Sequence, residues 1–190
     1  MATILMLHGS PSSRSRTAAM LRHVGRWLSD ADLSVRSVAV RDLPSAALLN
    51  ADSADLAIRD VVGAVEEADG IIVATPVYKA AYSGLLKVLL DLLPQSVLAG
   101  KPVLPLATGG STAHVLSIDY ALRPVLTALG ADHVLRGYFV LDRLLTRQDD
   151  GEVLIDSEVA AQLTARVTQF AALVPRESTR TKTSALSPLA

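Results

Sequence analysis

Five short aliphatic runs, separated by stretches of helical spacing, limit what this 190-residue chain can fold into. They occupy residues 4–7, 35–40, 71–74, 103–107 and 134–140. Between the first two, Ala18, Leu21, Val24 and Leu28 form an i, i+3, i+4 stripe. Leu56, Val61, Val62 and Val65 do the same after the second run. Segment 83–93 carries Leu85, Leu86, Leu89, Leu90 and Leu93, enough to be buried on more than one side. Further helices are expected over about 112–129 and 157–174, with a kink where Pro124 removes a backbone donor. Strand and helix alternating five times predict an α/β domain with a doubly wound parallel sheet.

The core has to be aliphatic, because half of the residues are hydrophobic and only 4% are aromatic. That suits parallel strands covered by helices on both faces. A net charge of −1 gives no basic excess for nucleic acid and no acidic face for docking on basic partners. Without cysteine there is no thiol catalysis, disulfide or zinc–thiolate centre, and no metal site is expected. No basic segment followed by a long apolar run opens the chain, and no run spans a bilayer. A soluble, cytoplasmic protein is expected, with one domain over 1–174. From residue 175 the chain turns polar, rich in Ser and Thr and bounded by prolines, which predicts a disordered tail. Segment 143–150 is charged and reads as a surface loop.

Three loops follow strands on one rim of such a sheet, where ligands collect. The first, residues 9–17, reads GSPSSRSRT, with five hydroxyls and two guanidiniums ahead of a helix start near Arg16. Unpaired helix N–H groups, Ser10, Ser12, Ser13, Ser15 and Thr17, and an arginine together suit a bound phosphate. The glycine patterns of nucleoside-triphosphate and dinucleotide loops are absent, so a single phosphate monoester fits better. The plain alternative is that Ser15 or Thr17 only caps the helix. The second loop, Pro76-Val77-Tyr78-Lys79, offers an apolar turn for a planar ring, although Tyr78 and Tyr82 also suit ordinary packing. The third, Thr108-Gly109-Gly110-Ser111, brings glycine amides that can point at a carbonyl or ring nitrogen. His114 is a site residue or a structural histidine, the latter being commoner on a helix. No Ser-His-Asp or paired-carboxylate constellation stands out. Together the loops suit a planar heterocycle carrying one phosphate.

These stretches are specific enough to carry a resemblance. GSP…SRT, ATPVYKAAYSGLLKVLLDLLP, GKPVLPLATGG and AHVLSIDYALRPVL together resemble the NAD(P)H-dependent FMN reductases. The most similar subgroup supplies reduced flavin to alkanesulfonate monooxygenases, and the likeness spans about residues 3–140. It implies a flavodoxin-like fold of five strands in the order 2-1-3-4-5, with FMN at the switch point and NADPH or NADH as hydride donor. Carried over, Ser10, Ser15, Arg16 and Thr17 hold the phosphate, while Pro76, Val77, Tyr78 and Lys79 border the isoalloxazine. Thr108, Gly109, Gly110 and Ser111 line its pyrimidine side, the two glycine amides giving electrostatic support with no catalytic side chain. Tyr120 takes a place in a π-bulge at a tetramer interface, so a homo-oligomer, dimer or tetramer, is implied. Ser12-Ser13-Arg14 stands where the subgroup often has Arg, an aromatic residue and Pro, so either Arg14 or Arg16 pairs with the phosphate. The rival expectations are an azo- or quinone reductase that retains FMN, and a flavodoxin-type electron carrier.

Overall fold

A computed structural model describes residues 1–175; the tail expected from residue 175 lies, all but that residue, outside the described residues. Alternating burial along the strands builds two cores. Leu5 and Leu7 of β1 (Thr3–His8) join Ile71 and Val73 of β3 (Gly70–Tyr78) and Val103 of β5 (Pro102–Gly109) on one face. There α3 (Leu56–Glu67), α4 (Gly84–Leu90) and α5 (Arg123–Ala128) cover them. Ile4, Met6, Ile72, Ala74, Leu104 and Leu106 face the other way, under α1 (Arg16–Asp30) and α6 (Ser157–Leu173). The period of two explains why each strand serves both cores. The short helix α2 (Ser45–Leu49) follows β2 (Ser34–Ala39).

The strand order is β2-β1-β3-β5, with the fifth position shared by β6 (His133–Val134) and β7 (Tyr138–Leu141). The order 2-1-3-4-5 therefore stands, and the sheet strands named in that order pair in parallel. The fifth run, expected unbroken over 134–140, is interrupted at 135–137. The break lies beside the middle of β5, where Pro105 has no N–H to offer a neighbour.

Two further pieces were not anticipated. A tight antiparallel turn joins β3 to β4 (Ala81–Tyr82). Segment 143–150, expected as a loop, starts a hairpin of β8 (Leu145–Arg147) and β9 (Val153–Ile155) that packs on α1. Among the described residues no helix is long and apolar enough to cross a membrane.

Candidate active site

The first loop leaves β1 pressed against the start of α4. The Gly9 N–H donates to the Ala74 carbonyl at 3.0 Å, and its own carbonyl accepts from Ser83 Oγ at 2.5 Å. A Cβ at Gly9 would lie 2.4 Å from Leu86 Cβ, so only glycine lets the loop pass here. Ser10 is buried, and its hydroxyl accepts from the Ser12 N–H at 3.4 Å. Ser12 Oγ in turn accepts from the Arg14 N–H at 3.1 Å.

Ser15 is the N-cap of α1 and accepts from the Ala18 N–H at 3.0 Å. The capping alternative thus describes what Ser15 does in the structure. Thr17 has a different partner. Its Oγ1 lies 2.6 Å from Thr108 Oγ1, both side chains buried, which ties the first turn of α1 to the end of β5. No acidic residue stands in that first turn, so nothing opposes an anion at the positive end of the helix.

The second loop is a strained hairpin. Val77 pairs with Tyr82 and Tyr78 with Ala81, leaving Lys79 and Ala80 as the two turn residues, at φ of 50° and 64°. Such turns ordinarily take Asn-Gly; a non-glycine residue in the left-handed region costs about 1–2 kcal/mol. The turn is braced from behind, where Thr75 Oγ1 accepts from the Ser83 N–H at 2.9 Å. Pro76 and Val77 are half-buried, and Tyr78 is exposed at the rim.

At the third loop the two glycines differ. Gly109 is buried, and a Cβ there would meet Phe139 Cζ at 2.9 Å. Gly110 is exposed with nothing within 4 Å of a built Cβ. Ser111 caps a 3₁₀ turn, Thr112–His114, accepting from the Ala113 N–H at 3.2 Å. The helix expected over 112–129 is therefore not continuous. A π-helical segment, Ile118–Leu122, follows the 3₁₀ turn and runs into α5. Pro124 lies in the first turn of α5 and has no N–H for the Tyr120 carbonyl four residues back, so a wider turn costs little there. Arg123 fixes this segment to the broken fifth strand. Its Nε donates to Asp119 Oδ1 at 3.0 Å, and its Nη1 and Nη2 donate to the Val134 and Leu135 carbonyls at 2.7 and 3.0 Å. Tyr120 projects from the π turn and is 79% exposed.

These loops enclose an open cavity of about 220 Å³ at the carboxyl ends of β1, β3 and β5. Ser10, Ser15, Arg16 and Thr17 line one end of it, Pro76, Val77 and Tyr78 another side, and Thr108 and Gly109 also border it. Lys79, Gly110 and Ser111 stand outside its wall. Ser12, Arg14 and Asp142 are added to it. Asp142 follows the carboxyl end of β7, and that position was the one signal for it in the sequence. Arg16 Nε donates to the Leu145 carbonyl at 3.2 Å, which leaves the Nη groups of its fork for a ligand. Behind the cavity, His8 Nδ1 is buried with no hydrogen-bond partner among the described residues, and burial pushes the imidazole pKa down.

The donor set fits FMN. Hydroxyls, two guanidiniums and a helix start suit the phosphate, and the apolar Pro76–Val77 edge suits a flat ring system. Gly109 is a place where any side chain would meet Phe139. Among the described residues no group of three or more His, Asp or Glu is placed to hold a metal ion.

Comparison with known proteins agrees with this geometry. Residues 2–145 match the NADPH-dependent FMN reductase family. An FMN reductase (NADPH) of Pseudomonas putida is 50% identical over 139 residues, covering 73% of this chain and 71% of that one. The crystal structure of the NADH:FMN oxidoreductase EMOB, in its apo form, superposes with a TM-score of 0.84 at 42% identity, covering 95% and 94% of the two chains. A flavodoxin of Streptococcus pneumoniae TIGR4 shares the fold alone, at TM-score 0.63 and 16% identity over 90% of this chain and 99% of that one. The chain belongs to the NADPH-dependent FMN reductase family, oxidoreductases built here on a flavodoxin-like sheet.

Proposed function

We propose that this protein takes hydride from NADPH or NADH onto FMN and releases the reduced flavin to a partner monooxygenase of the alkanesulfonate type. The observation that carries the reading is one cavity with a phosphate-suited end and an apolar edge, on the rim where the strand order reverses. Bound FMN supplies the hydride acceptor, which explains why no side chain is arranged as an acid–base pair. Ser10, Thr17 and Arg16 hold the phosphate; Ser15 serves by capping the helix whose N–H groups face it. Arg14 lines the same wall and adds a second guanidinium. Pro76, Val77 and Tyr78 align the ring, and the Lys79 ammonium sits at the tip of the turn above it. Thr108 and Ser111 frame the pyrimidine side, and the Gly109 and Gly110 amides stabilise negative charge there.

A site that is open and exposed at its arginine end supports release of the flavin. The exposed Tyr120, with Leu116 and Val115 beside it, supports assembly into a tetramer through the π turn. The functional unit is the domain 1–174, acting in the cytoplasm.

The test is steady-state oxidation of NADPH and of NADH by purified protein, with and without added FMN and with a quinone as comparison. Oxidation that needs added FMN, in protein that purifies nearly colourless, is the expected result. Quinone-dependent oxidation by a yellow protein that needs no added flavin would replace this reading with that of an FMN-retaining quinone reductase.

A further inference from the structure

The family match ends at residue 145, where the β8–β9 hairpin begins. This hairpin reaches back to the first loop at two backbone points. Its Leu145 carbonyl accepts from Arg16 Nε at 3.2 Å, and its Arg147 Nη1 donates to the Arg14 carbonyl at 2.7 Å. Farther out it grips α1. Arg22 Nη2 donates to the Gly151 carbonyl at 2.6 Å, and Glu152 pairs with Arg22 at 3.3 Å and Arg26 at 2.7 Å. Only three residue pairs join the two strands, too few for such a hairpin to stand alone. Its place depends on Leu145 and Val153, buried against the α1 and α6 core, and on these arginine contacts.

We propose that the β8–β9 hairpin is a strap that sets the affinity for the FMN phosphate, with Arg147 as its positioning residue. The inference rests on the reading that this cavity holds FMN. Arg16 held through Nε keeps its Nη groups facing a ligand and has less rotamer freedom to lose on binding. Arg147 fixes the carbonyl between Ser13 and Ser15, so the loop that carries Ser10, Ser12 and Arg14 is already shaped. Neither contact touches the part of the site suited to the ring. The strap therefore acts on the phosphate alone, and phosphate binding and strap docking reinforce each other by linkage.

Riboflavin, which lacks the phosphate, separates this role from general stability. Flavin fluorescence titrations give dissociation constants for FMN and riboflavin in the wild type, Arg147→Ala and Arg147→Lys. In Arg147→Ala, FMN binding weakens about tenfold, about 1.4 kcal/mol, while riboflavin binding stays within about twofold. Arg147→Lys recovers part of the loss. The KM for FMN rises in Arg147→Ala while kcat at saturating FMN stays within about twofold. Equal losses for both flavins, or none for FMN, overturn the strap. Should Arg147→Ala fail to fold, amide hydrogen exchange in the wild type decides. FMN slows exchange over 145–155 and riboflavin does not; equal exchange with both flavins overturns the strap. A wild type that binds neither flavin overturns the reading of the cavity itself, and the strap falls with it.

Discussion

The junctions β1–α1 and β5–α5 both leave a parallel strand at the same rim, yet they are built in opposite ways. The first is short and tied from within. Gly9 lies against Leu86, Ser15 caps the helix, and Thr17 is bonded to Thr108 in the interior. The second passes through a 3₁₀ turn and a π turn before α5 begins, with no side-chain cap on α5. It leaves Tyr120 and Leu116 at 79% and 55% exposure. One junction is fixed by the protein's own interior. The other presents its side chains outward, clear of the core.

The glycines give the largest contrast. Gly9→Ala forces a Cβ into Leu86 and is expected to lower unfolding free energy by about 3 kcal/mol, whereas Gly110→Ala changes it by less than about 0.5 kcal/mol. Denaturant titration of the two variants checks this, and equal midpoints would erase the distinction between the junctions. Next is the buried hydroxyl pair. Thr17→Val leaves Thr108 Oγ1 without its partner, at a cost of about 1–2 kcal/mol. The double variant with Thr108→Val is expected to regain part of that cost, and strict additivity in the cycle would show the pair is not coupled. On the outward junction, Tyr120→Ala should leave monomer stability within about 0.5 kcal/mol, since an exposed ring has little to lose. In the proposed tetramer its effect belongs in the assembled mass by sedimentation. An unchanged mass would remove Tyr120 from the interface.

Much of the first junction was legible, because each device in it has a local signature. An aliphatic run, a hydroxyl before a helical stripe, and a glycine between them can be read without knowing what lies across the sheet. The strand order needed the family resemblance, as did the π turn, for which spacing offered only the kink at Pro124. Other features were invisible for physical reasons. Lys79 and Ala80 carry no turn chemistry, and their left-handed backbone is imposed by the pairing of Val77 with Tyr82. The Thr17–Thr108 bond joins residues 91 apart in sequence. The β8–β9 strands are three residues each, with Leu154 exposed, and β8 falls in the charged segment 143–150, which read as a loop. What holds them is long-range: arginines on α1 and a carbonyl in the first loop.

A titration probes the inner junction from below, with no effect near pH 8 and a growing one in acid. His8 closes β1 beneath the first loop, buried, its Nδ1 unpartnered among the described residues. Burial lowers its pKa from the ordinary 6.5, with Arg22 and Arg41 acting in the same direction and Asp42 against them. Above about pH 7.5 the imidazole is almost entirely neutral in folded and unfolded chains alike, so it contributes almost no pH dependence. As pH falls below that value, the unfolded chain takes up a proton that the folded one refuses. The unfolded state then binds more protons, and stability declines at up to about 1.4 kcal/mol per pH unit until the folded group titrates. His8→Gln removes this one proton from the balance. The difference in unfolding free energy between wild type and variant should therefore be nearly flat above about pH 7.5 and shift against the wild type between about pH 7 and 5. A difference that stays constant over the whole range would mean that His8 is protonated as readily inside the fold as outside it. The inner junction would then be open to water, and the contrast with the outer one would weaken accordingly.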